Sequence, residues 1–333
     1  MRHCLSVCDY SINLTMVHAA VVNNWGASPT YGNIDLPTPS KSQVLIKVRA
    51  AGVHNFVRSR AAGQHFSVAG RDPPHIPGVD GVGTVIETGQ LVYFNALQSP
   101  TGSLADEIVV DKHNVYPLGE NANPEDVAVL ANPALSSWMA IAARAGINKG
   151  DKFTVGIIGA TGVSGNAAVQ IAKAFGANEV ITIGKPGEKL ERTMELGARE
   201  TIALSDSIED TDFSAAADVD IILDYLWGNV AHASLTGIIS KRKNVSQRLT
   251  WVQIGALAGE EMGVPASMLR KANVAMVGCG PGSWTFQELG KQLPHMLEAI
   301  VKGGLTAEFE VKELKDVEKW WDEKGGKRVV VKP

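Results

Sequence analysis

Three glycines near the middle of the chain have the spacing of a turn that binds phosphate groups. Gly159, Gly162 and Gly165 follow an apolar run and precede a segment with helical periodicity. The pattern is G-x-x-G-x-x-G and not the stricter G-x-G-x-x-G, and Ala160 occupies the position after Gly159. Such a turn directs backbone N–H groups and the positive end of a helix at a pyrophosphate. The sequence therefore predicts a dinucleotide site, with a strand-to-helix turn that binds nothing as the alternative.

The residues after the next apolar strand indicate which dinucleotide binds. Sites specific for NAD usually carry Asp or Glu there, and its carboxylate binds the ribose diol. Here Gly184 and Lys185 occupy that position, and Lys189 follows four residues later. Gly184 leaves room for a 2′-phosphate that Lys185 or Lys189 would neutralise, although both lysines could equally be solvated surface charges. We expect NADPH to be preferred over NADH.

Two other classes of nucleotide-binding protein do not fit this chain. A P-loop needs Gly-Lys-Ser/Thr after its glycines, and that triplet is missing here. A short-chain dehydrogenase has its glycine turn near the N-terminus and pairs a tyrosine with a lysine four residues later. None of the five tyrosines of this chain has a lysine at that position.

The segments around the turn predict an α/β fold. Up to about residue 131, short β-branched runs separated by Gly, Pro, Asn and Asp predict a compact, barrel-like β unit. Beyond it, strands that are apolar throughout alternate with helices, which predicts a parallel sheet covered on both faces. The closing segment returns to strand character and is expected to rejoin the β unit. The predicted helices cover Asn132–Gly146, a segment from Val163, Gly187–Leu196 and Trp284–Val301.

These patterns divide the 333 residues into an extension and two domains. Residues 1–15 form an N-terminal extension of undetermined role. Residues 16–131 and 305–333 form the β-barrel domain, and residues 132–304 form the dinucleotide-binding domain inserted into it.

The composition excludes several classes of function. A hydrophobic content of 45% and a charged content of 20% are typical of an ordinary globular protein. The net charge of −4 gives no attraction to nucleic acid or acidic membranes. No apolar run is expected to approach the roughly 18 residues that span a bilayer. The three cysteines cannot form a disulfide framework, and the first 15 residues lack the apolar core of a signal peptide, so we expect a cytoplasmic protein.

Over residues 16–333 the chain resembles the medium-chain dehydrogenase/reductase superfamily, and most of all its zinc-free quinone oxidoreductase branch. The resemblance implies a GroES-like barrel domain, a Rossmann domain and an active site between them. It is carried by the segments AAGVHNFVRSRAAG, PPHIPGVDGVGTV, VYF, NPALSSWMAI, GIIGATGVSGNAAVQIAKAFGA, LGA, VDIILDY and GKRVVV.

The resemblance also implies which residues bind the cofactor. Those at the pyrophosphate are Gly159, Ala160, Thr161, Gly162 and Val163, and those at the 2′-phosphate are Lys185 and Lys189. The positions that pass the ribose and nicotinamide are Ser136, Gly255, Ala256 and Gly278.

The positions that bind zinc in zinc-dependent relatives are substituted in this chain. Val53 stands where those relatives have cysteine, and Pro-Gly-Val-Asp over residues 77–80 replaces Pro-Gly-His-Glu. Zinc needs three protein ligands in a catalytic site or four in a structural one, and His54 and Asp80 alone do not reach that number. We therefore expect no metal.

Without a Lewis acid, the feasible reaction is hydride transfer to an acceptor that is already electron-poor. Three side chains are candidates to donate a proton or hydrogen bond to that acceptor: His54, Arg58 and Tyr93. Each also has a structural alternative, and water can supply the proton. Many relatives carry Asn where His54 stands and a Tyr shortly after it, but this loop contains no Tyr.

The sequence thus predicts a zinc-independent, NADPH-dependent reductase of a quinone or of the activated C=C bond of an α,β-unsaturated carbonyl. One alternative is an enoyl reductase of a specialised biosynthetic pathway. Another is a non-catalytic NADPH-binding protein with a structural or regulatory role. The resemblance suggests a homodimer that pairs the edge strands of two Rossmann sheets. The physiological substrate and the proton donor stay open.

Overall fold

A computed structural model describes residues 15–323 and 327–333, apart from the side chains of Thr15 and Phe66. The predicted extension therefore lies, except for Thr15, outside the described residues. The described chain forms two compact units, unit 1 up to Val129 together with Glu308–Pro333, and unit 2 from Leu130 to Ala307.

The elements are numbered along the chain. The strands are β1 (Thr15–Val21), β2 (Thr30–Leu36), β3 (Gln43–Val53), β4 (Asp80–Val85), β5 (Leu91–Asn95), β6 (Glu107–Asp111), β7 (Val115–Pro117), β8 (Thr154–Ile158), β9 (Glu179–Gly184), β10 (Glu200–Ala203), β11 (Ile221–Asp224), β12 (Leu249–Gln253), β13 (Val274–Gly278), β14 (Phe309–Glu313) and β15 (Arg328–Lys332). The helices are α1 (Asn55–Ala61), α2 (Pro124–Met139), α3 (Val163–Phe175), α4 (Glu188–Glu191), α5 (Gly228–Lys241), α6 (Ala266–Lys271), α7 (Phe286–Val301) and α8 (Val317–Trp320).

Unit 1 is built almost entirely of antiparallel strands. One sheet has the order β14-β15-β3-β4-β5-β7, with β6 also paired to β3, and β1 and β2 form a separate pair. The C-terminal strand β15 pairs antiparallel with the end of β3, where Val330 lies opposite Gly52. The end of the chain therefore completes the sheet that the N-terminal strands begin, as the sequence predicts.

Unit 2 contains a six-stranded parallel sheet with the order β10-β9-β8-β11-β12-β13. The strands beside its centre are buried on both faces, which explains their continuous apolar sequences. The strand order reverses between β8 and β11, and ligands of such sheets bind beyond the carboxyl ends of the strands at this switch point. The α/β fold class predicted from the sequence is confirmed.

Several helix boundaries differ from those predicted. Helix α2 begins at Pro124 because the side chain of Asn123 accepts hydrogen bonds from the backbone N–H groups of Glu125 and Asp126. Pro133, expected in the first turn, lies inside this helix. The helix predicted over Gly187–Leu196 is only one turn long, and α5 was not predicted at all.

Helix α2 continues through a π-helical turn, and together they form the segment Pro124–Arg144. Its 21 residues have a mean hydropathy of 1.2 over the most apolar window, so length and composition alone would allow it to cross a membrane. The expectation that no segment reaches this length is therefore wrong. Since 67% of that window is buried within the protein, the segment has the character of a core helix.

Candidate active site

The glycine turn connects β8 to α3 at the switch point of unit 2. Gly159 has a φ of +87°, in the left-handed region that favours glycine. A Cβ atom at Gly165 would collide with the carbonyl oxygen of Gly159 and lie 2.5 Å from the Cα of Ala160, so only glycine allows α3 to pack this closely. A Cβ atom at Gly162 would instead meet one atom within 4 Å, the Gly159 carbonyl oxygen at an ordinary contact distance of 3.7 Å, and would otherwise have open space around it. This space lies beside the N-terminus of α3, where backbone N–H groups can bind an anion.

The end of β9 lies directly beside this turn. Gly184 is buried, and a Cβ atom there would come within 2.9 Å of the Thr161 side chain. Lys185 and Lys189 follow, and both are exposed. The structure therefore places the end of β9, which Lys185 and Lys189 follow, beside Thr161 of the glycine turn.

The end of β11 forms the opposite wall of the turn. A Cβ atom at Gly159 would lie 3.1 Å from the Leu226 side chain and 3.2 Å from Cβ of Tyr225. The next residue, Trp227, has a φ of +57°, which no other non-glycine residue in the described ranges shares. A large side chain in this backbone conformation is strained, so its surroundings must hold it in place.

A buried carboxylate holds that wall. Asp224 is fully buried, and its Oδ1 accepts hydrogen bonds of 2.9 Å from the backbone N–H groups of both Leu226 and Trp227. Its Oδ2 accepts a 3.0 Å bond from the indole Nε1 of Trp251. Burial raises the pKa of Asp224, while these three donors oppose the shift.

The remaining predicted cofactor residues lie around the same strand ends. The Ser136 carbonyl accepts a 3.5 Å bond from Sγ of Cys279, the residue after Gly278. A Cβ atom at Gly255 would lie 2.6 Å from the Tyr225 carbonyl oxygen, and Ala256 is the next residue. The carboxyl ends of β11, β12 and β13 and a face of α2 thus meet in one place.

A hydroxyl pair not predicted from the sequence ties three of these elements together. The Tyr225 hydroxyl and Oγ of Ser137 are 2.6 Å apart, and the Ser137 hydroxyl also lies 3.5 Å from the carbonyl oxygen of Ser164 in the first turn of α3. Burial raises the pKa of Tyr225, so its hydroxyl stays protonated, and either hydroxyl of the pair can donate to the other. These bonds link α2 and the end of β11 to the start of α3.

In unit 1, two of the three proposed proton donors share one buried carboxylate. The Tyr93 hydroxyl donates a 3.0 Å hydrogen bond to Oδ2 of Asp80, and Tyr93 is 1% exposed. Nε2 of His54 lies 3.5 Å from the other carboxylate oxygen, and His54 is 5% exposed. Burial lowers the pKa of His54 despite the neighbouring Asp80, with Arg328 adding to the decrease, so the imidazole is neutral near pH 7.

The third proposed donor, Arg58, is engaged elsewhere. Its guanidinium donates a hydrogen bond to the backbone carbonyl of Trp321 and lies 4.9 Å from the centre of that indole ring. These contacts favour the structural role of Arg58 over the catalytic one. Val53 adds no metal ligand beside His54 and Asp80, and across residues 15–323 and 327–333 no three His, Cys, Asp or Glu side chains are grouped as a metal site.

Comparison with known proteins gives the family. The Alcohol dehydrogenase GroES-like domain family matches residues 40–120. The probable NADPH-dependent quinone reductase tdiC of Emericella nidulans is 31% identical, over 95% of this chain and 100% of that protein. The chain belongs to the medium-chain dehydrogenase/reductase superfamily. This membership confirms the predicted resemblance and makes the chain an NAD(P)H-dependent oxidoreductase of the quinone oxidoreductase type.

Other members of the superfamily agree with this assignment. Human quinone oxidoreductase is 30% identical over 50% of this chain and 52% of its own length. A mycobacterial quinone oxidoreductase structure superposes with a TM-score of 0.79 at 20% identity, covering 95% of this chain and 100% of that one. At that identity the superposition supports the shared fold alone.

One buried histidine of this oxidoreductase leads to a prediction about pH. His75 is 5% exposed, and burial together with the charges of Arg60 and Arg71 lowers its pKa to about 4, from an ordinary 6.5. The unfolded chain therefore binds a proton at a higher pH than the folded protein, and stability is lost as the pH falls from about 6.5 to about 4. We expect this histidine alone to cost about 2 kcal/mol by pH ~5.

Chemical denaturation of the wild type and of His75→Gln at neutral pH and near pH ~5 measures this cost. His75→Gln should lose clearly less stability on acidification, whereas the control His113→Gln, at an exposed position, should behave as the wild type does. Equal losses in all three proteins would contradict the prediction.

Proposed function

We propose that the chain is a zinc-independent, NADPH-dependent reductase that transfers hydride to a quinone or to the activated C=C bond of an α,β-unsaturated carbonyl. The observation that carries the proposal is the glycine turn, where open space at Gly162 adjoins the N-terminus of α3 at the switch point of the sheet. The description of tdiC as a probable NADPH-dependent quinone reductase, and of a mycobacterial neighbour as complexed with NADPH, supports the same cofactor.

The residues around the turn fit NADPH. The pyrophosphate would be held by the backbone from Gly159 to Val163, and the adenosine 2′-phosphate by Lys185 and Lys189 beside Gly184. Ser136, Gly255, Ala256 and Gly278 would line the ribose and nicotinamide. Bound there, NADPH supplies the hydride.

The proposed independence from zinc rests on the ligand positions. Val53 carries no metal-binding atom, and one oxygen of Asp80 already accepts a hydrogen bond from the Tyr93 hydroxyl. Oxidation of a simple alcohol would then lack a Lewis acid, whereas a quinone or enone accepts hydride without one. The acceptor gains one hydride and one proton and becomes the hydroquinone or the saturated carbonyl.

We propose that His54 donates a hydrogen bond to the oxygen of the acceptor. Neither ring nitrogen of His54 has a hydrogen-bond partner within the described ranges, although the side chain is buried. A neutral imidazole can donate one hydrogen bond to the oxygen on which negative charge develops. The single N–H proton of the neutral ring is not committed to Asp80, whose Oδ1 lies 3.5 Å from Nε2 without forming a hydrogen bond. Tyr93 donates its hydrogen bond to Asp80, so it need not touch the substrate.

Steady-state NADPH oxidation with a panel of small quinones and enones, together with metal analysis of the purified protein, tests the proposal. We expect turnover with at least one acceptor class and no stoichiometric zinc. Tight NADPH binding without turnover of any acceptor would favour the non-catalytic role. Stoichiometric zinc would contradict the metal-free mechanism.

The cofactor preference gives a second prediction. Lys185→Asp should lower the ratio of NADPH to NADH affinity by about tenfold or more, because it replaces attraction to the 2′-phosphate by repulsion. The control is Lys152→Asp, which makes the same charge change at an exposed position before β8. Fluorescence titration with both nucleotides measures binding without turnover. An unchanged ratio in Lys185→Asp would remove this lysine from the site.

We further propose that the enzyme works in the cytoplasm on small-molecule acceptors, without nucleic acid or membrane partners. A homodimer through the edge strands of the parallel sheet is part of the proposal. The edge strand β13 is partly exposed, which supports it.

A further inference from the structure

Two basic side chains are buried in unit 1, Arg60 in helix α1 and His75 in the loop before β4. Arg60 is 1% exposed, and its guanidinium donates 3.2 Å hydrogen bonds to Oγ of Ser67 and to the carbonyl oxygen of Leu97. Its Nε has no acceptor in the described chain. Nε2 of His75 is likewise buried without a partner. The two residues are near enough for the charge of Arg60 to lower the pKa of His75. Buried polar atoms are normally hydrogen-bonded, so these two unpartnered nitrogen atoms point to a missing acceptor.

The charge of this group is not balanced by the protein. A second arginine, Arg71, donates a 3.4 Å bond to the carbonyl oxygen of Ser99. Within the described ranges neither Arg60 nor Arg71 forms an ion pair with an acidic side chain. Burial and the neighbouring Arg71 lower the pKa of Arg60 to about 10, which reflects the uncompensated positive charge. Buried charges are normally paired, and an anion would supply the partner.

An aromatic ring connects the basic group to the proposed catalytic histidine. The centre of the Phe56 ring lies 6.1 Å from that of His54 and 4.4 Å from that of His65. The Arg60 guanidinium lies 6.0 Å from the same Phe56 centre. His54 and Arg60 are thus both neighbours of one apolar ring.

We propose that Arg60, Arg71 and His75 form a subsite for an anionic oxygen of the acceptor, so that the preferred substrates are quinones or enones that carry an ionised hydroxyl or a carboxylate. The inference rests on the proposed function and narrows its substrate class. An anionic acceptor resists hydride, because the addition creates a second negative charge before a proton arrives. A nearby guanidinium offsets that charge. The reaction balances, since the anion gains one hydride and one proton and keeps its single charge.

The alternative is that Arg60 has only a structural role, as a clamp whose hydrogen bonds hold together the segments that contain Ser67 and Leu97. The two roles differ in what a change of charge does. A clamp affects charged and neutral acceptors alike, whereas an anion subsite discriminates between them. Matched pairs of acceptors that differ in charge and by a single methyl group therefore separate the two roles.

The experiment measures kcat and KM for lawsone against its methyl ether, and for acetylacrylate against its methyl ester. The wild type should have the lower KM for the anionic member of at least one pair, and which pair responds tells an ionised hydroxyl from a carboxylate. Arg60→Met and Arg71→Met should raise that KM by about tenfold or more and change the neutral member less than about twofold. Arg49→Met is the control, because Arg49 is exposed and bonds to Thr84 instead.

Melting temperatures show whether each variant is folded. If Arg60→Met does not fold, Arg60→Lys and Arg71→Met carry the test. A wild type that prefers the neutral members, or variants that change both members equally, would overturn the subsite and leave the reductase intact. If no acceptor is reduced, the proposed function fails, and calorimetric titration of lawsone into wild type and Arg71→Met still decides the subsite. Weaker binding to the variant supports it, and equal or absent binding overturns it.

Discussion

Gly165→Ala is expected to weaken NADPH binding by about 100-fold and to lower the free energy of unfolding by about 2–4 kcal/mol. The added methyl group would collide with the Gly159 carbonyl and the Ala160 backbone, and backbone atoms cannot rotate out of its way as a side chain can. Helix α3 must then move outward from β8. Its N-terminal N–H groups would leave the positions from which they can bind a pyrophosphate.

The matched control is Gly162→Ala, one helical turn earlier. Gly162 has a φ of −85°, which alanine adopts freely, and the methyl group would enter open space. Stability should fall by about 1 kcal/mol, less than in Gly165→Ala, because Gly162 is the N-cap of α3 and alanine is the poorer residue there. Nucleotide affinity should still fall, because the methyl group takes up room that the phosphates need. Nucleotide titration and chemical denaturation of both variants test this pair. Normal NADPH affinity in Gly162→Ala would move the pyrophosphate away from this turn.

Much of the fold could be predicted because its information is local. Continuous apolar strands such as β8 and β9 are buried on both faces, and this pattern predicts a parallel sheet wherever helices alternate with strands. The β character of the C-terminal segment likewise predicted its return to unit 1. Helix boundaries were less predictable. The capping residue Asn123 was present in the sequence. The start of α2 was nevertheless predicted beside Pro133, because proline is common in the first turn of a helix.

Helix α5 was missed for a different reason. Its sequence contains two glycines among small and polar residues, so its helical propensity is low. It forms because the packing of Leu235 and Ile238 against the sheet outweighs that propensity. Tertiary burial of this kind leaves only a weak periodic signal in the sequence.

In the candidate site, too, the features set by one contiguous segment could be predicted, and contacts between distant segments could not. The glycine turn is one contiguous segment, so its geometry could be expected from spacing alone. The contact between His54 and Asp80 arises because the end of β3 lies beside the start of β4. The residues next to His54 and Asp80 in the sequence do not indicate this strand pairing. The nucleotide and catalytic assignments stay predictions. Arg58 illustrates that a polar side chain chosen from the sequence can have a structural contact instead, since its guanidinium donates a hydrogen bond to the Trp321 carbonyl.

Asp224→Ala is expected to lower the free energy of unfolding by about 3–5 kcal/mol. The change removes one acceptor group and leaves three donors unpaired, namely the partly buried N–H groups of Leu226 and Trp227 and the buried indole of Trp251. Trp227 could then leave its strained conformation, and the wall behind Gly159 would loosen. Nucleotide affinity should fall together with stability. Asp206→Ala, an exposed position, should change neither property measurably.

Asp224→Asn tests which of these bonds matters most. The asparagine oxygen can still accept from both backbone N–H groups, but its NH₂ group then faces the indole N–H of Trp251, and two donors meet. The loss should be about 1–3 kcal/mol, smaller than that of alanine. Trp251→Phe removes the opposing donor, so the double variant Asp224→Asn/Trp251→Phe should recover part of the stability that the sum of the single changes would lose. Denaturation of all four proteins gives the coupling energy. Strict additivity would mean that the Asp224–Trp251 bond does not stabilise the wall of the glycine turn. Other contacts would then hold Trp227 in its strained conformation.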